Sequence, residues 1–306
     1  MQARPRIIPH LWFDKEALEA AEFYTSLFPQ SRTLHVGTIH DTPSGDTDTV
    51  VFELAGQTFQ AISAGPSFKF NPSISFIVNF DPSRDEQARA RLDEAWQALQ
   101  DGGQVLMPLD EYPFSKRYGW VQDRYGVSWQ MILSNPEGDP RPFLVPCLLF
   151  TDGNRGRARE AGEFYRSVFP DSEVGQLEFS PPEESGGGAD ELVMFSDFRL
   201  GDTWFAAMDS PIEHGFGFNE AISFIVECRS QQEVDHYWEE LSADGGEKGP
   251  CGWLKDRYGL CWQVVPAELF GMLEDPDEEK VARVTQAFLS MSKLDIEELR
   301  RAYSGG

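Results

Sequence analysis

Three stretches of this chain occur twice, in the same order. Glu22-Phe23-Tyr24-Thr25-Ser26-Leu27-Phe28-Pro29-Gln30-Ser31 returns as Glu163-Phe164-Tyr165-Arg166-Ser167-Val168-Phe169-Pro170-Asp171-Ser172, with seven of ten positions identical. The stretch from Phe70 to Val78 returns from Phe218 to Val226, sharing Phe-Asn and Ile-Ser-Phe-Ile-Val. Trp120 to Gln130 returns as Trp253 to Gln263, each copy carrying Asp-Arg-Tyr-Gly and closing on Trp-Gln. The offsets are 141, 148 and 133 residues, so the chain is a tandem duplication of one domain. Solenoid repeats run about 20–50 residues and are excluded by this period. The expected division is a first domain at 1–134, a linker at 135–143, a second domain at 144–266 and a helical tail at 267–306.

A formal charge of −25 argues against phosphate backbones and anionic lipid as partners, so neither nucleic acid nor membrane is expected. The chain carries no run of about 18 apolar residues and no apolar secretory core near Met1, which reads as a soluble, cytoplasmic protein. Cys147, Cys228, Cys251 and Cys261 form no Cys-x-x-Cys pair, so reduced and mostly buried thiols are expected rather than a zinc ribbon or redox site.

Within the first copy, alternation and turn signals predict strands at Ile7–Phe13, Arg32–His40, Thr49–Leu54, Thr58–Ser63 and Ser73–Phe80. Helices are predicted at Lys15–Leu27, capped by Asp14 and ended by Pro29, and at Arg84–Gln100, stopped by Gly102-Gly103. A hairpin, Gly119–Gln122 with Ser128–Leu133, closes the copy, giving the order βαβββ twice. The second copy repeats it from Leu144 to Val265, with an insertion at Asn154–Arg157 and an irregular loop at Pro181–Gly188. In the tail, Asp275-Pro276 predicts a helix start, and Val281, Val284, Phe288 and Met291 form one apolar stripe. Asp295 caps a last helix to Tyr303. Such a stripe packs on its own domain or forms a dimer contact.

A domain of two βαβββ modules, with a Glu-Phe-Tyr-x-x-x-Phe-Pro helix and an Asp-Arg-Tyr-Gly-x-x-Trp-Gln hairpin, resembles the vicinal oxygen chelate superfamily of glyoxalases, bleomycin-resistance proteins and dioxygenases. Pro9-His10-Leu11-Trp12-Phe13, Phe218-Asn219 through Phe224, and Cys251-Gly252-Trp253 through Gln263 resemble the PhnB-like family often labelled 3-demethylubiquinone-9 3-methyltransferase. The resemblance implies an α+β fold: a tandem repeat of two such domains, each a cup of curved mixed sheet, plus the helical tail. It also implies inward positions on the first and fourth strands of each module. These fall near His10, Gln60, Ser73 and Gln130 in the first copy, and Cys147, Phe205, Ala221 and Gln263 in the second, with Pro9 and Pro146 competing at the first strand.

Chemistry limits what those positions can do. A catalytic divalent metal typically takes three strong ligands from His, Asp, Glu or Cys. His10, Gln60 and Gln130 are the nearest to a metal set, yet two are neutral amides, so no metal and no other cofactor is expected. The ligand pocket is expected from Trp12, Gln60, Ser73, Trp120, Gln130, Cys147, Trp253 and Gln263, with His10, Gln130 and Cys251 as catalytic candidates. Phe76, Trp129, Phe224 and Trp262 are further aromatics that could line the cups, although alternation allows only one of Trp129 and Gln130 to face a given cup. Because the first copy is polar at these positions and the second largely apolar, activity is expected in the first repeat alone or in neither.

The leading reading is a binding protein for a small, partly aromatic or apolar molecule. The alternatives are a divalent-metal lyase, isomerase or dioxygenase of the glyoxalase type, and a non-catalytic scaffold. A methyltransferase is not supported, because no Gly-x-Gly-x-x-Gly follows a strand and opens a helix. The duplication suits a monomer with an internal pseudo-dimer or a homodimer.

Overall fold

The computed structural model describes residues 6–181 and 191–306, so most of the expected Pro181–Gly188 loop lies outside the described residues. Four βαβββ modules follow one another. The first comprises β1 (Arg6–Phe13), α1 (Ala17–Leu27), β2 (Arg32–Thr42), β3 (Gly45–Leu54) and β4 (Gln57–Ser63). The second has β5 (Ile74–Phe80), α2 (Ala88–Gln100), β6 (Gln104–Tyr112), β7 (Ser115–Gln122) and β8 (Ser128–Leu133). The third has β9 (Leu144–Phe150), α3 (Ala158–Val168), β10 (Glu173–Phe179), β11 (Val193–Leu200) and β12 (Thr203–Asp209). The fourth has β13 (Ile222–Cys228), α4 (Gln231–Leu241), β14 (Glu247–Lys248), β15 (Trp253–Lys255) and β16 (Cys261–Pro266). Helices α5 (Ala267–Leu273), α6 (Glu278–Ser290) and α7 (Ile296–Ser304) form the tail.

The modules assemble across the duplication. One 8-stranded sheet runs β14-β15-β16-β13-β1-β4-β3-β2, and the other runs β10-β11-β12-β9-β5-β8-β7-β6. The first sheet thus joins the first and fourth modules, and the second joins the second and third. The central seam of the first sheet is antiparallel, with Ile8 opposite Ile225 and His10 opposite Ser223. The matching seam in the second sheet places Ser75 opposite Cys147. Each cup therefore takes half its strands from each repeat. Asn71 and Asn219 tie the crossing loops: each orders its own strand entry through its Oδ1, and each Nδ2 donates to a carbonyl of the other repeat, Gly217 and Lys69.

Alternation decides which faces meet. Leu11, Phe13, Phe59, Phe76, Trp129, Phe205, Phe224 and Trp262 share one buried core with the helices. Phe59 meets Phe76 at 5.2 Å, and Phe205 meets Phe224 at 5.0 Å, so the convex faces of the two sheets pack directly. Trp129, Trp262, Phe76 and Phe224 belong to this core, not to the cups, which corrects the expectation that they line a pocket. The opposite parity leaves Gln130 and Gln263 on the concave sides.

Local expectations hold with shifts at the ends. Ala55 and Gly56 both have positive φ in the two-residue β3–β4 turn, as the tight-turn signal required. Helix α1 begins at Ala17 after Glu16, with no side-chain cap, so Asp14 lies too early to cap it. The tail helix α6 is capped by Asp277, which accepts from the Glu279 and Lys280 amides, rather than by Asp275. Asp275 instead accepts from the Asp277 amide and receives the Tyr303 hydroxyl. Asp295 caps α7 as expected. Among the described residues, no helix is long and apolar enough to cross a membrane.

The tail packs into its own chain. Val284, Met291, Leu294 and Leu299 cluster with Ile8, Ile225 and Val265 on the concave face of the first sheet. This packing is possible because the fourth module is short. Its β14 and β15 have two and three residues, whereas β6 and β7 have nine and eight. Tail backbone takes up the freed valences: the Cys251 amide donates to the Met291 carbonyl and the Gly252 amide to the Ser292 carbonyl, each at 2.7 Å.

Candidate binding site between the repeats

The concave side of the first sheet holds a cavity of about 580 Å³, roofed by the tail. Pockets for small organic ligands commonly measure about 300–1,000 Å³. His10 and Trp12 reach it from β1, Gln60 from β4, Trp253 from β15 and Gln263 from β16, with Cys251 at the turn before β15. Phe270, Phe288 and Leu294 of the tail form the opposing wall. His10, Trp12, Gln60, Cys251, Trp253 and Gln263 thus converge on one site, although the first three and the last three come from different repeats.

Ile8, His10 and Trp12 share the concave parity of β1, and this settles the choice between Pro9 and His10. His10 sits beside Gln60 in the parallel β1–β4 register and faces Ser223 across the seam. A polar chain crosses the floor: Gln263 Nε2 donates to Ser223 Oγ at 3.0 Å, and that hydroxyl lies 3.4 Å from His10 Nδ1. The indole of Trp253 meets the imidazole edge-on at 5.6 Å. Burial holds the His10 pKa down at about 3, so the imidazole is neutral at ordinary pH.

Cys251 and Gly252 occupy the two central positions of a turn closed by the Trp253 amide on the Pro250 carbonyl, and both have positive φ. A Cβ at Gly252 would stand 2.7 Å from the Val264 carbonyl, so glycine is required there. The Cys251 thiol is half-buried beside the Leu289 carbonyl, and burial raises its pKa. No charged partner makes it a thiolate. Toward the mouth, Lys255 is paired with Glu220 and Lys248 with Glu239, each at 2.8 Å.

The remaining expected site residues lie in the other sheet. Gln130 faces its concave side, where Nε2 donates to Ser75 Oγ at 2.8 Å and Oε1 accepts the Tyr118 hydroxyl at 2.7 Å. Cys147 is buried in the same group, and its thiol is pushed up to about 12. Trp120 pairs with Gln130 across β7–β8 and donates its Nε1 to Ser128. Ser73 lies before β5 and bonds the Gly217 carbonyl. The inward serines are Ser75 and Ser223, two residues later than Ser73 and Ala221, and the residue beside Cys147 is Ala206, because Phe205 points into the core. The sequence signal for the serines was present, since Ile-Ser-Phe occurs in both copies. A polar first repeat and an apolar second repeat are therefore replaced by two mixed cups, of which the one joining the first and fourth modules carries the cavity. Among the described residues no three His, Cys, Asp or Glu side chains converge as a metal site.

A family described as 3-demethylubiquinone-9 3-methyltransferase matches twice, over residues 5–132 and 142–265. A putative 3-demethylubiquinone-9 3-methyltransferase, PhnB protein, from Bacillus cereus is 36% identical over 42% of this chain and 98% of its own, with a TM-score of 0.37. Glyoxalase I from Zea mays is similar in fold at 11% identity, covering 86% of this chain and 93% of that one with a TM-score of 0.53. A putative dioxygenase from Bacillus subtilis covers 100% of this chain and 97% of its own at 11% identity and a TM-score of 0.50. None of the curated proteins compared matches the sequence.

Proposed function

The chain belongs to the 3-demethylubiquinone-9 3-methyltransferase (PhnB-like) family of the vicinal oxygen chelate superfamily, and on that premise we propose that it binds one small, partly aromatic molecule in the cavity between its repeats, without a tightly held metal. The observation that carries this reading is a cavity whose floor is neutral and polar, with His10, Gln60 and Gln263, and whose walls are aromatic, with Trp12, Trp253, Phe270 and Phe288. The donor set supports the metal-free reading. The floor offers one neutral imidazole, two amides, a hydroxyl and a protonated thiol, and although His35, Glu220, Glu247 and Glu274 also line the cavity, no three His, Cys, Asp or Glu side chains converge among the described residues to neutralise a divalent cation.

The methyltransferase description of the family finds no support in this chain. Binding of a nucleoside-type methyl donor on a parallel sheet uses a strand, a glycine-rich turn and a helix N-terminus. Here each βαβββ module instead leads its helix into an antiparallel meander.

Native mass spectrometry of freshly purified protein, repeated after loading with nickel, zinc, manganese and iron, tests the reading. We expect at most one organic ligand per chain, displaced by aromatic competitors, and no stoichiometric metal. A stoichiometric divalent metal lost on His10→Ala would replace this reading with a glyoxalase-type metalloenzyme.

A further inference from the structure

The two cups are internal copies, and one shows what the other lacks. Trp120 lies opposite Gln130 in the second sheet as Trp253 lies opposite Gln263 in the first. Ser75 and Ser223 hold the two amides in the same way, through Nε2 at 2.8 and 3.0 Å. The difference is at Oε1. In the second sheet Gln130 Oε1 accepts the phenol of Tyr118 at 2.7 Å, and burial raises the Tyr118 pKa so that it remains a neutral donor. The Tyr118 ring is held edge-on by Tyr112 at 5.5 Å and Phe114 at 5.0 Å, all on the long β6–β7 hairpin.

The first sheet has no such hairpin. Cys251 stands where Tyr118 does, two residues before the paired tryptophan, and the thiol turns to the Leu289 carbonyl. Gln263 keeps its bond to Ser223 and lines the cavity, and among the described residues its Oε1 accepts no hydrogen bond. Phe270 and Phe288 of the tail line the same cavity as Gln263 and supply aromatic surface there. Where the second cup has Cys147 beside Ala206, the first has His10 beside Gln60, adding a second polar position next to the amide.

We propose that the cavity takes an uncharged aromatic ring bearing a hydroxyl, which donates to Gln263 Oε1 as the Tyr118 phenol donates to Gln130, while the ring lies among Trp253, Phe270 and Phe288. This rests on the reading of the cavity as a ligand site. A carboxylate or phosphate is not the match, because both lysines near the mouth are engaged by glutamates. An amide oxygen facing an apolar ligand would lose solvent without gaining a partner, which is the basis for discrimination.

The test is titration of the full chain with p-cresol, 4-methylanisole and toluene, followed by calorimetry or tryptophan fluorescence, in the native protein and in Gln263→Leu. The expected result is p-cresol binding at least roughly tenfold more tightly than either analogue, with the preference gone in Gln263→Leu and toluene affinity within about twofold of native. Retained toluene binding reports that the variant cavity is intact. If all three probes bind the native protein alike, or if Gln263→Leu keeps the p-cresol preference, the inference is overturned and the cavity reading stands. If no probe binds and native mass spectrometry finds no ligand, the cavity reading itself falls with it.

Discussion

The Tyr24 hydroxyl donates to Asp123 Oδ2 at 2.7 Å, and Tyr165 makes the same bond to Asp256 at the same distance. Each bond joins a helix on one sheet to the closing hairpin of the other. Each carboxylate also receives a tryptophan Nε1, from Trp129 or Trp262, and two backbone amides. The repeated Glu-Phe-Tyr and Asp-Arg-Tyr-Gly motifs are therefore two halves of one latch, and the latch is structural.

Removing one donor from this buried carboxylate should cost about 1.5–3 kcal/mol, the range for hydrogen bonds to charged groups. Tyr24→Phe and Tyr165→Phe should each lower stability by that amount in urea unfolding. Asp256→Ala, which strands all four donors, should cost more than either. Ligand affinity should change little, because neither tyrosine lines the cavity.

Acid sensitivity should be traceable to His10. Its folded pKa of about 3 lies below the unfolded value of 6.5, so the unfolded chain binds the extra proton between those values. The stabilisation is complete above pH 6.5 and is lost as pH falls toward 3, by up to about 1.4 kcal/mol per pH unit. His10→Gln should flatten this part of the profile. Asp256 acts oppositely: burial raises its pKa to about 6, so its contribution declines as pH rises from 3.8 to 6. The His10→Gln variant should accordingly lose stability with rising pH across that narrower window, as measured by urea titrations at a series of pH values.

The tail should behave as part of the cup. Leu299 is fully buried against the concave face of the first sheet, so Leu299→Ala should cost about 2–5 kcal/mol. Loss of the Asp277 cap in Asp277→Ala should cost about 1 kcal/mol. Hydrogen exchange should show both changes opening α6 and α7 before the sheets, while the latch residues stay protected.

Much of the scaffold was legible because the chain states it twice. The four modules, the Ala55-Gly56 turn, the last-strand alternation and the apolar stripe of the tail all follow from short-range pattern. The pairing of modules does not. The two copies carry equivalent apolar residues on their convex faces, so Phe59 packing on Phe76 and Phe205 on Phe224 would look the same in sequence whichever modules shared a sheet. The site suffered from this directly, since His10 and Gln263 belong to different repeats and meet only through the β1–β13 seam. The shortened fourth module did leave a trace: the repeat offset falls from 148 to 133 between Phe218 and Trp253. That deletion removes most of a hairpin and marks the cup that the tail covers. The cap at Asp275 failed because Asp277 lies closer to the first turn of α6, whereas at α1 no helix-flanking side chain caps and Ser63 Oγ accepts the Ala17 amide.

A binding cup shared by both repeats is tested most directly by a bridge across the β1–β13 seam. Arg6 and Glu227 are opposed in that register. In Arg6→Cys/Glu227→Cys, mild oxidation followed by peptide mass mapping should show an intramolecular disulfide joining residues 6 and 227 in a monomeric chain. Absence of that linkage, with both introduced thiols remaining free or bridging only between chains, would contradict the shared cup.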